Sequence, residues 1–320
     1  MTSWLVTGGA GYIGAHVVKA LRDRSEPVVV LDDLTTGVAE RVGDAPLVRG
    51  SVLDAELVAA TLRDYDVGGI VHIAAKKQVG ESVERPLHYY RENVGGVLTL
   101  LEAATAAGVG SFVFSSSSST YGMPDVDKVT EDVPFAPMSP YGETKVIGEW
   151  MARAAAAASE MRVISLRYFN VAGAASPELG DPGVFNLIPL ALRALTNGEA
   201  PQIFGDDYPT PDGTCIRDYV HVADVADAHA AALAHLNNGG GSATYNIGRG
   251  EGSSVREVLA MVADVTGIGT APIVKPRRAG DPARIVAAAD AIRADLGWTS
   301  RYGLGEIVES AWNAWPQSAR

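Results

Sequence analysis

Short apolar segments alternate with longer amphipathic ones through the first half of the chain. The apolar segments span 4–7, 28–31, 47–49, 69–73, 112–115 and 161–167. They are rich in branched residues and bounded by Gly, Asp or Pro, which is typical of strands buried on both faces of a parallel sheet. Helical spacing fills 13–24, 55–63, 94–107 and a stretch that starts at Tyr141. This alternation predicts an α/β fold with a doubly wound parallel sheet.

The pattern changes beyond Asn170. Six prolines between Pro177 and Pro211 divide the chain into short pieces, which predicts a smaller, irregular second lobe. Helical spacing returns at 222–236 and 254–265, and the strand-like run 244–247 is expected to rejoin the sheet as its seventh strand. We therefore predict a first lobe over 1–170, to which 218–248 returns, and a second lobe formed by 171–217 and 249–320.

Composition narrows the class of protein. The net charge of -12 argues against a nucleic-acid partner, which would require clustered Lys and Arg. The single cysteine, Cys215, excludes an internal disulfide and fits a reducing cytoplasm. No apolar run approaches the roughly 20 residues that span a bilayer, and the chain opens without a signal-peptide pattern, so a cytoplasmic protein without a membrane partner is expected. His, Cys and carboxylates show no ligand spacing, so no metal is expected.

Three glycines follow the first predicted strand. Gly8, Gly11 and Gly14 have the spacing G-x-x-G-x-x-G and precede a predicted helix. Glycine permits the tight turn and the close approach of backbone to a pyrophosphate that a helix N-terminus then faces. Asp32 ends the second strand 18 positions later, where a carboxylate can accept bonds from a ribose diol. Asp33 adds negative charge that would repel a 2′-phosphate, so we predict NAD rather than NADP.

Tyr141 and Lys145 stand four positions apart, one above the other on a helix face. An ammonium near a phenol favours the phenolate and lowers the phenol pKa, so the tyrosine could exchange a proton with an alcohol near neutral pH. Ser117 lies upstream in the serine run 115–119 at a predicted strand end. A Tyr-x-x-x-Lys pair arises often by chance, and an ordinary surface pair is the alternative interpretation of the isolated motif.

Together these residues resemble the extended short-chain dehydrogenase/reductases and, more narrowly, the UDP-glucose 4-epimerase family over essentially the full chain. The segments that carry the resemblance are Lys77-Gln78-Val79-Gly80-Glu81-Ser82, Pro140-Tyr141-Gly142, Leu166-Arg167-Tyr168-Phe169-Asn170, the runs 204–210, 212–214 and 217–222, and Arg277-Arg278-Ala279-Gly280-Asp281. The resemblance implies a Rossmann-type lobe with a smaller C-terminal substrate-binding lobe. It also implies NAD-dependent epimerisation at C4 of a UDP-hexose through a transient 4-keto sugar, and a homodimer.

The family also implies a role for each matching residue. Tyr141 would remove the 4′-OH proton as a phenolate, Lys145 would hold that phenolate, and Ser117 would bridge Tyr141 and the 4′ oxygen. The cofactor-binding positions are Gly8, Gly11, Tyr12, Ile13, Gly14, Asp32, Asp33, Ser51, Val52, Ala74, Lys77, Asn93, Tyr141, Lys145 and Phe169. The substrate-binding positions are Ser117, Tyr141, Asn170, Asn186, Leu187, Phe204, Arg217, Arg278 and Asp281. The two arginines can fork onto phosphate oxygens, and the Phe204 ring offers a face to uracil.

The chain departs from the family pattern at a few positions. Ser51 replaces an aspartate that bonds the adenine amine. Ser118 and Ser119 follow the catalytic serine where Ala and Thr are common, and Gln78 replaces a small residue. Ile285 occupies a position that gates the sugar pocket with a large or a small residue. Because isoleucine is intermediate in size, our hypothesis is that N-acetylated UDP-hexosamines are partly accepted.

Other functions on the same fold remain alternatives. Nucleotide-sugar 4,6-dehydratases carry Asp-Glu after the catalytic Ser or Thr, and Ser118 and Ser119 cannot perform that proton chemistry. A 4-epimerase for UDP-pentoses or UDP-GlcNAc shares most of the motifs. A non-catalytic NAD-binding regulator would lose Tyr141 or Lys145, and both are present.

Overall fold

The computed structural model describes residues 2–278 and 280–316. Met1, Ala279 and residues 317–320 lie outside the described residues. These positions include the first residue of the predicted first lobe, the alanine of the run 277–281 and the end of the predicted second lobe.

Strands and helices alternate through the first half of the chain, as the pattern predicts. The strands are β1 Ser3–Thr7, β2 Val28–Asp32, β3 Leu47–Arg49, β4 Val67–His72, β5 Ser111–Ser117, β6 Arg162–Tyr168, β7 Asn170–Ala172, β8 Gln202–Phe204, β9 Ile216–His221, β10 Ala243–Ile247, β11 Gly252–Ser254, β12 Ile273–Lys275 and β13 Arg284–Ile285. The helices are α1 Tyr12–Arg22, α2 Ala55–Asp64, α3 Val79–Glu84, α4 Pro86–Tyr89, α5 Gly96–Ala106, α6 Pro140–Ala157, α7 Leu187–Thr196, α8 Val222–Asn237, α9 Val255–Thr266, α10 Asp290–Leu296 and α11 Leu304–Asn313.

A seven-stranded parallel sheet forms the centre of the molecule. Its strand order is β10-β6-β5-β4-β1-β2-β3, and every neighbouring pair is parallel. The chain builds outward from β1 through β2 to β3 and then crosses to β4 on the other side of β1. The order reverses between β1 and β4, which creates a crevice at the carboxyl ends of these strands. The predicted α/β class and Rossmann-type sheet are confirmed.

Helices cover both faces of the sheet, so most side chains of its central strands are apolar. Because side chains alternate along a strand, Trp4 and Val6 pack with α1 and α8, whereas Leu5 packs with α2 and α5 on the other face. The strand β5 runs two residues further than the apolar pattern indicates. Ser116 and Ser117 continue it because they pair in register with Arg167 and Tyr168 of β6.

The remaining strands form smaller sheets. A four-stranded sheet joins β11, β9 and β13, with β7 also paired to β9, and β12 pairs with β8. A separate apolar cluster of α7, α9 and α11 side chains packs beside them. The division into two lobes stays a prediction, and its boundary between 217 and 218 falls within β9.

Asp218 on β9 joins three parts of the chain at one buried carboxylate. The side chain is 0% exposed and accepts hydrogen bonds from the backbone N–H groups of Arg249 (2.8 Å), Gly250 (2.9 Å) and Ala287 (3.2 Å). Burial raises the pKa of this carboxyl, and the three N–H groups oppose that rise. Asp218 therefore connects β9 to the segment after β10 and to the segment after β13.

Replacement of this carboxylate should destabilise the protein. Asp218→Ala leaves three buried donors without a partner, and we expect a loss of about 3 kcal/mol in the free energy of unfolding, measured by urea denaturation. The control is Asp44→Ala, which removes a carboxylate that is 97% exposed and paired with Arg22. This control should change stability by less than about 1 kcal/mol. Equal effects of the two substitutions would contradict the role of Asp218.

Candidate active site

A cavity of about 470 Å³ opens at the carboxyl ends of β1, β2, β3 and β4. Its volume is in the range typical of small-molecule sites. Many predicted site residues line it together: Gly8, Gly11, Tyr12, Ile13, Gly14, Asp32, Asp33, Ser51, Val52, Ala74, Lys77, Tyr141 and Lys145. The predicted dinucleotide positions and the predicted catalytic pair therefore share one cavity.

The glycine turn leaves no room for side chains. Gly8 has φ +70°, and a Cβ there would lie 2.7 Å from the backbone nitrogen of Ala74. A Cβ on Gly14 would lie 2.0 Å from the carbonyl oxygen of Gly8. The backbone at the end of β1 is thus bare toward the cavity, directly before the N-terminus of α1. This arrangement suits the close approach of an anionic phosphate group.

Asp32 is held at the edge of the same cavity. Its carboxylate accepts hydrogen bonds from Ala10 N (3.0 Å) and Leu34 N (2.8 Å). Burial raises its pKa, and these two N–H groups act in the opposite direction. The neighbouring carboxylate of Asp33 caps a turn by accepting from Thr35 N. Two carboxyl groups therefore stand at this edge of the cavity.

Ser51 lines the cavity beyond the end of β3. Its hydroxyl oxygen accepts a hydrogen bond from Leu53 N at 3.1 Å, so it also shapes the turn that follows. The hydroxyl hydrogen can still be donated to a ligand.

Asn93 is buried beside the cavity and fixes its wall. Its side chain accepts from Lys76 N (2.8 Å) and donates to Lys76 O (3.0 Å) and Thr144 Oγ1 (3.0 Å). It lies in a π-helical turn, Tyr90–Gly95, that precedes α5. The helix predicted from residue 94 therefore begins as α5 only at Gly96. A π-turn of this kind is frequent where a helix presents a side chain to a site.

Tyr141 and Lys145 lie in the first turns of α6. The helix starts after Ser139, whose hydroxyl accepts from Gly142 N at 3.2 Å, and Pro140 occupies the first helical position. Lys145 is 5% exposed, and its Nζ donates to Ser115 O at 2.8 Å. The same Nζ lies 5.8 Å from the centre of the Tyr141 ring. The predicted catalytic serine, Ser117, ends β5, and its Oγ accepts a hydrogen bond from Ser119 N at 3.2 Å.

Burial favours the neutral forms of both Tyr141 and Lys145. The pKa of Tyr141 is raised by burial, although the hydrogen bond from Ser117 lowers it in part. The lowered phenol pKa predicted from the sequence is therefore wrong for the protein alone, because desolvation outweighs the neighbouring groups. Burial lowers the pKa of Lys145 to about 8, and the Glu149 carboxylate opposes this change.

The predicted nucleotide-binding side chains form two contacts away from the cavity wall. The Arg278 guanidinium lies 3.7 Å from the centre of the Phe204 ring, and Arg217 forms an ion pair with Asp281 at 3.4 Å. Both pairs link the strands β8 and β9 to the segment after β12. Arg278 therefore lies beside β8, and Arg217 is part of β9.

Other predicted positions lie on nearby elements. Phe169 is buried in a cluster with Tyr121 and Ile285, Asn170 begins β7, Asn186 caps α7 and Leu187 is its first residue. Within the described ranges, the residues that line the cavity do not include Ser117, Asn93, Phe169, Asn170, Asn186, Leu187, Phe204, Arg217, Arg278 or Asp281.

The cavity also contains residues that sequence reasoning missed. Tyr168 lines it at the end of β6, within the Leu-Arg-Tyr-Phe-Asn run that could have indicated it. Asp181, Pro182, Gly183 and Phe185 line it from the proline-rich segment after β7, which has no periodic signal. That segment is held by tertiary contacts, since Tyr12 OH donates to Gly173 O (2.5 Å) and Arg41 donates to Gly180 O (2.6 Å).

Residues 2–278 and 280–316 contain no group of three or more His, Cys, Asp or Glu side chains placed to hold a metal ion. None of the helices in this part of the chain is both long enough and apolar enough to span a membrane.

Residues 4–248 match the NAD dependent epimerase/dehydratase family. A UDP-glucose 4-epimerase from Azospirillum brasilense is 48% identical over 313 residues, which cover 96% of this chain and 90% of the relative. The structure of UDP-glucose 4-epimerase from Brucella ovis in complex with NAD gives a TM-score of 0.94 at 40% identity, with 98% of each chain covered. The structure of the Bifidobacterium longum UDP-glucose 4-epimerase in complex with NAD+ and UDP gives 0.91 at 34% identity, again over 98% of each chain.

A single methyl group in the glycine turn should be costly. We expect Gly14→Ala to lower the free energy of unfolding by about 2 kcal/mol or more, because its Cβ meets backbone atoms that cannot rotate away. The matched control is Gly80→Ala in α3, where a Cβ has open space and helix propensity favours alanine by up to about 1 kcal/mol. Urea denaturation of both variants measures the difference. A Gly14→Ala variant as stable as Gly80→Ala would contradict the close approach.

Proposed function

Because the chain belongs to the NAD dependent epimerase/dehydratase family, we propose that it catalyses the reversible epimerisation of UDP-galactose and UDP-glucose at C4. The observation that carries this proposal is that Tyr141 and Lys145 line the same cavity as the glycine turn at Gly8, Gly11 and Gly14. The UDP-glucose 4-epimerase relatives, which match nearly the whole chain, support it. The reaction passes through a transient 4-keto sugar.

The cavity fits NAD by its shape and chemistry. The bare backbone of Gly8 and Gly14 at the start of α1 would accommodate the pyrophosphate. The Asp32 carboxylate would accept a hydrogen bond from a ribose hydroxyl. Asp33 adds a second negative charge and disfavours NADP. Further wall contacts would come from Tyr12, Ile13, Ser51, Val52, Ala74 and Lys77, with Asn93 and Phe169 supporting them from behind.

When bound, NAD would supply a reversible hydride acceptor for C4 of the sugar. The Tyr141 oxygen takes the proton of the 4′-OH and later gives it back. Ser117 bridges Tyr141 and the 4′ oxygen, so the proton has a short path. Since burial raises the pKa of Tyr141, positive charge beside the phenol is needed to stabilise the phenolate, and Lys145 provides it.

The UDP moiety would lie against the second group of predicted residues. Arg217 and Arg278 bind the diphosphate oxygens, the Phe204 ring packs on uracil, and Asp281 accepts a ribose hydroxyl. Asn170, Asn186 and Leu187 complete this surface from β7 and the start of α7. In this proposal the segments 1–170 and 218–248 bind NAD, whereas 171–217 and 249–320 bind the nucleotide of the substrate.

The reaction itself provides the test. Purified protein without added NAD should convert UDP-galactose to a mixture with UDP-glucose, followed by proton NMR. We expect Tyr141→Phe to lower kcat at least ~10²-fold because the proton acceptor is lost, while the NAD content of the purified protein is retained. Tyr65→Phe, at the end of α2 and away from the cavity, is the matched control.

The outcomes separate the alternatives. An inactive wild type, even with added NAD, would contradict the proposal and lead to the same assay with UDP-pentoses and UDP-GlcNAc. Failure of every substrate while NAD stays bound would favour a regulator on this fold.

A homodimer is the proposed assembly, in the cytoplasm, for galactose metabolism. Leu98 on α5 is 46% exposed and Trp150 on α6 is 53% exposed, and the two helices pack side by side. Pairing of these helices with those of a second copy would cover both side chains.

Disruption of this face should separate the two copies. We expect Trp150→Glu to give the single-chain mass of 33.4 kDa in light scattering, because a carboxylate would be buried without a partner. Val274→Glu, on an exposed strand of the second lobe, should leave the dimer mass unchanged. A wild type that already has the single-chain mass at working concentration would refute the dimer.

A further inference from the structure

A buried ion pair lies directly behind the catalytic face of α6. Glu149 is one helical turn beyond Lys145, on the same face, and is 2% exposed. Its two oxygens accept hydrogen bonds from Arg167 Nε (2.8 Å) and Nη2 (2.6 Å), and Arg167 on β6 is 4% exposed. Burying such an ion pair costs desolvation free energy, and the pair often stabilises a fold no more than well-packed apolar side chains would. The two-pronged geometry instead fixes the positions of both side chains.

The pair holds the strand end that carries the catalytic serine. Ser116 Oγ donates a hydrogen bond to Glu149 Oε1, and the carbonyl of Ser115 accepts from Lys145 Nζ. Two side chains of α6 therefore hold two successive residues of β5: Glu149 bonds Ser116, and Lys145 bonds Ser115. The next residue is Ser117, the predicted catalytic serine at the end of β5. Movement of Glu149 would be transmitted to Ser117 through a single peptide unit.

Arg167 also bonds residues that follow Ser117 in the chain. Its Nη1 donates to the hydroxyl of Tyr121 (2.7 Å) and to the carbonyl of Glu131 (3.0 Å). The Tyr121 hydroxyl in turn donates to Asn246 Oδ1 at 2.7 Å. Ser116 bonds Glu149 and Tyr121 bonds Arg167, so both ends of the segment 116–121 are held by the same ion pair.

The pair also supplies charge to Lys145. Glu149 opposes the effect of burial on the pKa of Lys145, which is about 8. The other titratable groups near this amine are Tyr141 on α6 and His72 on β4, and Arg167 on β6 is the positive partner of Glu149. Burial lowers the pKa of His72 to about 3 and raises the pKa of Tyr141, so neither of these two supplies a negative charge near neutral pH. The compensating charge comes from Glu149.

We propose that Glu149, locked by Arg167, is a positioning residue for the proposed epimerisation, because it holds the end of β5 that carries Ser117 and places a carboxylate one helical turn from Lys145. The proposal rests on the function given above for Tyr141, Lys145 and Ser117. It assigns Glu149 no contact with substrate or cofactor.

The first test does not need a substrate. The chain has six lysines, so selectively 13C-labelled lysine gives a simple NMR spectrum, and Lys145→Arg identifies the signal of Lys145. In Glu149→Gln, the midpoint of its titration should fall by about one pH unit or more, since the opposing carboxylate is gone. Glu149→Asp keeps the charge and should keep most of the wild-type midpoint. An unchanged midpoint in a folded Glu149→Gln protein would overturn the proposal.

A second readout links the charge to turnover. In the wild type, kcat for UDP-galactose should fall above the pH at which Lys145 loses its proton, and in Glu149→Gln this alkaline limb should move to lower pH. A merely structural role would lower kcat equally at all pH values. If Glu149→Gln fails to fold, Ser116→Ala keeps the ion pair but removes its hydrogen bond to β5, and it should lower kcat; a kcat equal to that of the wild type would then overturn the proposal. A wild type inactive on every UDP-sugar would refute the proposed function, whereas the NMR titration would still decide the inference.

Discussion

The contact between the backbones of Gly8 and Ala74 is the constraint on which the site depends. These residues follow β1 and β4, the two strands between which the sheet order reverses, and no Cβ fits between them. Because the strands end side by side, the residues after each of them open into the same crevice. The start of α1, the Asp32 carboxylate and the first turns of α6 all meet there. A wider separation of β1 and β4 would place these groups in different parts of the surface.

Desolvation is the second constraint. Burial moves both Tyr141 and Lys145 toward their neutral forms. Proton transfer from a sugar to the phenol oxygen needs the charged phenolate instead. A charge close to a buried site has a stronger effect than it has in water. The Glu149–Arg167 pair has no net charge, but it places the Glu149 carboxylate one helical turn from Lys145 inside the fold.

The sequence predicts the parts of this molecule that repeat or that form compact motifs. Runs such as 28–31 indicate parallel strands because burial on both faces requires apolar side chains, and the spacing of Gly8 and Gly14 reflects backbone geometry. The segment around Asp181 and Phe185 could not be placed, because long-range contacts of Tyr12 and Arg41 hold it. The sign of the pKa change at Tyr141 was also out of reach, since it depends on how completely the fold buries the phenol.

The strand order has a consequence for the synthesis of the protein. The last strand of the large sheet, β10, pairs only with β6, and the segment between them in sequence builds β7, β8 and β9 elsewhere. As the chain leaves the ribosome, β6 therefore keeps one row of unpaired backbone groups until residue 247 has emerged. An open strand edge of this kind can pair with other nascent chains. Until β10 has reached the sheet, β6 is thus paired on one side only, with β5.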